Sequence, residues 1–183
     1  MYILKENLLG FDLQFTTAPD LFSAKKVDAG TKMLIGALEI KDGDTCLDLG
    51  CGYGPVGVVM AKINQTGKVY LVDRDLVATE YAELNCRENK LNNYEVRLSN
   101  GFNNLRNEVF NVIAANLPSH IAKESLIKLI QDAKSHLVAG GKFFVVIVTR
   151  LKEYVQRELR AVFEEVTKLD QSEKYAVLLA VKK

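Results

Sequence analysis

The stretch Asp44–Gly57 constrains this chain more than any other. Thr45–Leu49 is a short apolar run with one acid, Asp48, near its end. Gly50, Gly52 and Gly54 follow, then Pro55 and a second apolar run through Ala61. That order predicts a strand, a glycine turn and a helix. Glycines let the backbone take positive φ and let a ligand approach the main chain closely. The N–H groups that open the helix at about Gly54 point at such a ligand. The next apolar run, Lys68–Asp73, ends in an acid 19 residues past Gly54. A carboxylate at that place suits the two hydroxyls of a ribose.

Two nucleoside cofactors compete for such a turn. Gly52 through Gly57 fits the spacing G-x-G-x-x-G of dinucleotide sites, which alone is a weak signal. Asp48 argues against a pyrophosphate, because a carboxylate beside it repels it. It favours a ligand with a cationic end, and S-adenosylmethionine carries both an ammonium and a sulfonium. Asp48-Leu49-Gly50-Cys51-Gly52-Tyr53-Gly54 together with Asp73 resembles the first two motifs of class I S-adenosylmethionine-dependent methyltransferases. The resemblance implies that Asp48, Gly50, Gly52, Gly54 and Asp73 bind that cofactor. It adds Asn100, which stands where the family often has an acid that contacts the adenine amino group; an Asn oxygen still accepts there. An Asn100-Gly101 turn with no ligand is an equal alternative.

The rest of the chain alternates strand and helix. Leu8–Phe15 reads as a strand and Val27–Leu38 as a helix, an extension over residues 1–40. Beyond Asp73, helices are expected over Leu76–Lys90, Ile121–Leu137 and Leu151–Phe163. Gly140-Gly141 is expected to end the second of these. Strands are expected over Glu95–Ser99, Val109–Ala115 and Lys142–Thr149. Glu165–Leu169 and Tyr175–Val181 have no helix between them and should pair antiparallel. This is an α/β pattern, a doubly wound, Rossmann-like parallel sheet covered on both faces, within one domain spanning residues 1–183. The family resemblance implies seven strands in the order 3-2-1-4-5-7-6, with the last strand antiparallel. Ligands of such sheets sit beyond the carboxyl ends of the strands. Gly50, Asp73, Asn100 and Asn116 all fall at such ends.

Asn116-Leu117-Pro118-Ser119-His120 follows the most apolar strand. Amino-methylating members of the family hold Asn-Pro-Pro-aromatic here. The Asn oxygen and a following backbone carbonyl accept hydrogen bonds from a planar amine, which turns its lone pair toward the methyl carbon. Positioning is most of that catalysis, since the sulfonium is already a good leaving group. The resemblance makes Asn116 and Pro118 the catalytic candidates. The aromatic is replaced by Ser119, so the substrate candidates are Ser119 itself and His120 or Phe22 (Phe11 is a third ring) as the stacking platform. The alternative is that Asn116 and Pro118 shape a helix start, with Ser119 as its N-cap.

Phe15-Thr16-Thr17, Leu21-Phe22-Ser23 and Val27-Asp28-Ala29-Gly30-Thr31 resemble the segment that precedes the fold in small-domain ribosomal RNA guanine-N2 methyltransferases. The family pattern there is G-x-F-S and then D-x-G-T; this chain lacks the glycine of the first. The implied activity is S-adenosylmethionine-dependent methylation of an exocyclic guanine amine in ribosomal RNA. Related Asn-Pro-Pro enzymes act on DNA adenine or protein glutamine, and a cofactor-sensing or RNA-binding module is the rival of another class. A net charge of +1 supplies no strong field for nucleic acid. Gripping RNA then calls for a partner or a homodimer. Cys46, Cys51 and Cys86 have no metal-ligand spacing and read as reduced thiols, so no metal is expected. With no signal-like start and no run long enough to span a bilayer, the expected place is the cytoplasm, away from any membrane.

Overall fold

The computed structural model describes residues 1–183. Its first element is a hairpin, β1 (Tyr2–Leu8) and β2 (Phe11–Thr17), paired from Tyr2↔Thr17 to Leu8↔Phe11. The chain turns at Leu9 and Gly10, both at positive φ. This corrects the single strand expected over Leu8–Phe15. A two-residue turn with positive φ is the tightest hairpin connection, and here a leucine occupies its first position, which leaves Gly10 as its only local signal.

Beyond the hairpin come α1 (Ala29–Ala37), β3 (Thr45–Leu49), α2 (Pro55–Ile63), β4 (Lys68–Asp73) and α3 (Leu76–Glu88). Then follow β5 (Tyr94–Leu98), β6 (Phe110–Asn116), α4 (Lys123–Ser135), β7 (Leu137–Val148), α5 (Lys152–Val162), β8 (Glu165–Gln171) and β9 (Tyr175–Val181). Seven strands form one sheet in the order β5-β4-β3-β6-β7-β9-β8. Counted from β3 this is 3-2-1-4-5-7-6. All pairs from β5 to β7 are parallel, and β9 runs antiparallel to both of its neighbours. This is the class I methyltransferase sheet.

Strand alternation divides the sheet into two apolar layers. Cys46, Val112, Ala114, Phe144 and Val177 face the layer that holds α1, α2, α3 and the hairpin. Leu47, Ile113, Ala115, Phe143 and Val145 face the layer under α4 and α5. The outer strand β8 is almost wholly exposed and carries Glu165, Lys168 and Asp170, charges that discourage edge-to-edge pairing.

Two further expectations are corrected. Gly140-Gly141 does not end a helix: α4 stops at Ser135, and β7 begins at Leu137. Gly140, at positive φ, lies in an irregular start of β7 where the register to β6 shifts and where Gly140 N donates to Lys182 O at 2.7 Å. Ser119 is no N-cap, because α4 starts at Lys123 behind Ala122. No helix is long and apolar enough to cross a membrane.

The hairpin is tied to the turn after β3. Asn85 of α3, fully buried, accepts from Thr16 N at 2.7 Å and donates to Thr16 O and to Tyr53 O at 3.0 and 2.8 Å. The Phe15 and Tyr53 rings meet edge to face at 5.9 Å. The free edge of β2 is thus capped by side-chain amides rather than by another strand. Pairing those backbone groups avoids the cost of burying them unbonded.

Candidate active site

Parallel pairing brings the expected residues to one rim. Leu49 lies opposite Val72 on one side and Ala115 on the other. Gly50 is therefore flanked by Asp73 at the end of β4 and Asn116 at the end of β6. Asp73 in turn lies opposite Leu98, two residues before Asn100. The cleft spans four adjacent strand ends, about 14 Å at the usual inter-strand spacing.

The glycine turn is built from backbone geometry. Gly50, Gly52 and Gly54 have φ of 73°, 56° and 91°, a region that side chains with a Cβ rarely adopt. A Cβ added at Gly50 or Gly52 would meet nothing within 4 Å, so the space above the turn is open. Gly57 plays a different part: a Cβ there would lie 2.3 Å from Leu71 Cδ2, so its hydrogen lets α2 press onto β4. Gly50 N and Cys51 N both donate to Val72 O, at 2.8 and 2.9 Å.

Two carboxylates brace this turn. Asp73 Oδ2 accepts from Gly52 N at 2.8 Å, and its Oδ1 accepts from Asp75 N at 3.0 Å. Each oxygen keeps a second lone pair for a hydroxyl. Asp48 is 3% exposed and accepts from the N–H of Gly57, the third residue of α2, at 2.7 Å. Burial pushes its carboxyl up to about 7, the Gly57 bond works against that rise, and the neighbouring Asp73 adds to it. Asp48 thus lies beneath the turn, where a cationic ligand would favour its charged form. Cys51 is buried, and its thiol is pushed well up by burial and by both carboxylates. It is not a nucleophile at neutral pH.

At the other end of the rim, period-two alternation puts Val112, Ala114 and Asn116 on the α1 face. Asn116 Nδ2 donates to Thr31 Oγ1 at 3.0 Å. Leu117 faces the opposite layer, 5% exposed against the α4 side, and its N–H donates to Val146 O at 3.0 Å. A proline there would lose that bond, which gives a local reason for Leu117 in place of the family's first proline. Pro118 and His120 are exposed, and Ser119 is half-buried. Asn100 is exposed at the start of a turn whose Gly101 has φ of 59°. Phe22 is 66% exposed on the loop before α1, next to Ser23 at φ of 54°.

Hydrogen bonds join Asp48 to Gly57, Asp73 to Gly52 and Asn116 to Thr31. The side chains of Asn100, Phe22, Ser119 and His120 make no hydrogen bond of this kind. Thr31, Asp28 and Tyr175 were not expected at the site. The sequence signal at Asp28 and Thr31 is the pattern D-x-G-T, which marks the two positions but not their contacts. No group of three or more His, Cys, Asp or Glu side chains is placed to hold a metal ion.

Residues 12–179, from the start of β2 to near the end of β9, match the family described as "Methyltransferase small domain". The chain belongs to that family. Among its relatives, the Bacillus subtilis (strain 168) "Uncharacterized protein YbxB" is 28% identical over 174 residues, 93% of this chain and 87% of that protein. "Ribosomal RNA small subunit methyltransferase C" of Haemophilus influenzae (strain 86-028NP) is 34% identical over 139 residues, 74% of this chain and 42% of that protein. Among solved structures, the "T. Thermophilus 16S rRNA N2 G1207 methyltransferase (RsmC) in complex with AdoMet and Guanosine" superposes with a TM-score of 0.89 at 28% identity. That match covers all of this chain and 50% of that one. A methyltransferase from Pyrococcus furiosus, at 20% identity and a TM-score of 0.75 over 93% of this chain and 89% of its own, shares the fold. The chain spans half or less of the length of these two ribosomal RNA methyltransferases, 42% of the Haemophilus protein and 50% of the T. Thermophilus one.

Proposed function

We propose that residues 1–183 act as one S-adenosylmethionine-dependent methyltransferase unit, with residues 1–40 packed on it, that methylates the exocyclic amine of guanine in ribosomal RNA. The observation that carries this reading is Asn116. Its amide is anchored through nitrogen to Thr31, which leaves the oxygen as an acceptor one strand away from the glycine turn. An acceptor of that kind orients an NH₂ group toward a methyl donor. The relatives named for ribosomal RNA methylation, one of them holding guanosine and AdoMet, point to the same substrate.

In this reading Asp73 accepts from the ribose hydroxyls, and Gly50, Gly52 and Gly54 let the cofactor lie against the backbone. Asp48 offsets the cofactor's cationic end from beneath the turn. Asn100 accepts from the adenine amino group. The cofactor supplies an electrophilic methyl carbon. Asn116 and the turn at Leu117–Pro118 hold the target nitrogen in line with it. Phe22 and His120, both exposed, are the stacking platforms, and the small Ser119 leaves room for the base. A homodimer would double the surface available to RNA; light scattering reads that state directly.

Replacing Asp73 by alanine is expected to weaken S-adenosylmethionine binding by about 1–3 kcal/mol, through loss of charge-assisted bonds to the ribose. Calorimetry on the folded variant checks this, and unchanged affinity would move the ribose elsewhere. For the activity, labelled cofactor is incubated with small-subunit RNA, with assembled subunits, with DNA and with protein. Label is expected in the RNA-containing pools. Label confined to DNA or protein would remove the guanine assignment, and a thermal shift produced by nicotinamide dinucleotides but not by S-adenosylhomocysteine would remove the cofactor.

A further inference from the structure

The geometry points to Thr31 as a positioning residue for Asn116, held in place by Asp28 and Tyr175. The inference rests on the catalytic reading of Asn116 and deepens it. α1 starts behind Asp28, whose Oδ2 accepts from Gly30 N at 2.8 Å and from Thr31 N at 3.4 Å. The other oxygen, Oδ1, accepts from Tyr175 Oη at 2.9 Å, at the start of β9. Tyr175 is 147 residues further along the chain, so this bond fixes the start of α1 against the sheet. The Tyr175 ring also lies across Gly30: a Cβ there would be 2.9 Å from Tyr175 Cδ1 and 2.9 Å from Asp28 Oδ2. That explains the glycine between the acid and the threonine.

Thr31, 5% exposed, is thereby presented at a fixed point opposite the end of β6. Its hydroxyl takes the Nδ2 donor of Asn116 at 3.0 Å. An amide has its nitrogen and oxygen on opposite sides of one planar carbon. Holding the nitrogen therefore decides where the oxygen points, and makes it the acceptor for the substrate amine. Without Thr31 the amide can turn about its last side-chain bond and present its nitrogen instead, a donor facing a donor.

The test compares Thr31→Val, which keeps the shape and removes the hydroxyl, with Thr31→Ser, which keeps it. Single-turnover methyl transfer to ribosomal RNA is expected to fall about 10–100-fold in Thr31→Val, the scale of a mispositioned group, with cofactor affinity near wild type. Thr31→Ser is expected to recover most of the rate. In an Asn116→Ala background, Thr31→Val should cost nothing more, because the group it positions is gone. A wild-type rate in Thr31→Val, or an equal loss in the Asn116→Ala background, would overturn the role. A second readout does not depend on activity. The Asn116 side-chain amide resonance, assigned by its disappearance in Asn116→Ala, should shift and exchange faster with solvent in Thr31→Val but not in Thr31→Ser. An unmoved resonance overturns the positioning bond. A wild type that transfers no methyl group while this resonance responds overturns the proposed reaction and leaves the bond standing.

Discussion

Asn116→Ala is expected to lower single-turnover methyl transfer by about two orders of magnitude, roughly 2.7 kcal/mol of transition-state stabilisation, while cofactor affinity stays near wild type. The separation follows from the fold. Asn116 ends β6, whereas the groups assigned to the cofactor lie on β3, on β4 and in the turns after β3 and β5. Its hydrogen bond to the amine is best made as the nitrogen closes on the methyl carbon, so removal acts on the rate more than on binding. Loss of the bond to Thr31 should also cost about 1 kcal/mol of stability, the usual net value of one hydrogen bond. Asn116→Asp retains an acceptor oxygen and is expected to be the milder change. Chemical denaturation beside rapid-quench kinetics distinguishes the two effects. A variant that loses stability but keeps its rate at equal cofactor occupancy would make Asn116 a structural residue alone.

Asp48 should dominate the pH dependence of cofactor binding. Its carboxyl is pushed up to about 7 in the folded protein, chiefly by burial, from an ordinary value of 3.8. A carboxyl raised on folding stabilises the fold in its neutral form. That contribution is complete below about pH 4 and is lost as pH rises toward and through 7. The span corresponds to about 4 kcal/mol at most. Asp48→Asn, which cannot ionise, is therefore expected to be the more stable protein at and above pH 7 without cofactor, and similar to wild type near pH 4. Cofactor binding should run the other way. A cationic ligand favours the charged carboxylate, so wild-type affinity should climb between about pH 6 and 8. Asp48→Asn should bind weakly and without that slope. Denaturation curves and calorimetry across this range measure both. Parallel affinity profiles for the two proteins would mean that Asp48 does not sense the ligand.

Much of the site was legible because it depends on period and on glycine. The run Thr45–Leu49, three glycines and Asp73 specify a strand, a turn and an acid with little help from tertiary structure. The order of the strands followed from the family pattern that these residues carry. The ends of Lys68–Asp73 and Phe110–Asn116 were placed within one residue for the same reason. The hairpin was not legible. Leu9 at positive φ gives no sequence signal, and β2 is held by Asn85 of α3 and by Asn89 just past its end, more than 60 residues away. The bond from Thr31 to Asn116 spans 85 residues and was equally invisible. Gly140-Gly141 misled because paired glycines mark a helix end and an irregular strand alike. Leu117 read as a departure from the amine-binding pattern, but its side chain is core and its N–H belongs to the sheet, a matter of tertiary packing alone.

The measurement that bears most directly on the central claim is the identity of the methylated nucleoside. Small-subunit RNA is incubated with the protein and labelled S-adenosylmethionine, hydrolysed to nucleosides and resolved by mass spectrometry, with Asn116→Ala as the paired reaction. N2-methylguanosine is the expected labelled product, nearly absent from the reaction with the variant. Label on another nucleoside, or equal N2-methylguanosine from both proteins at equal cofactor occupancy, would contradict the central claim.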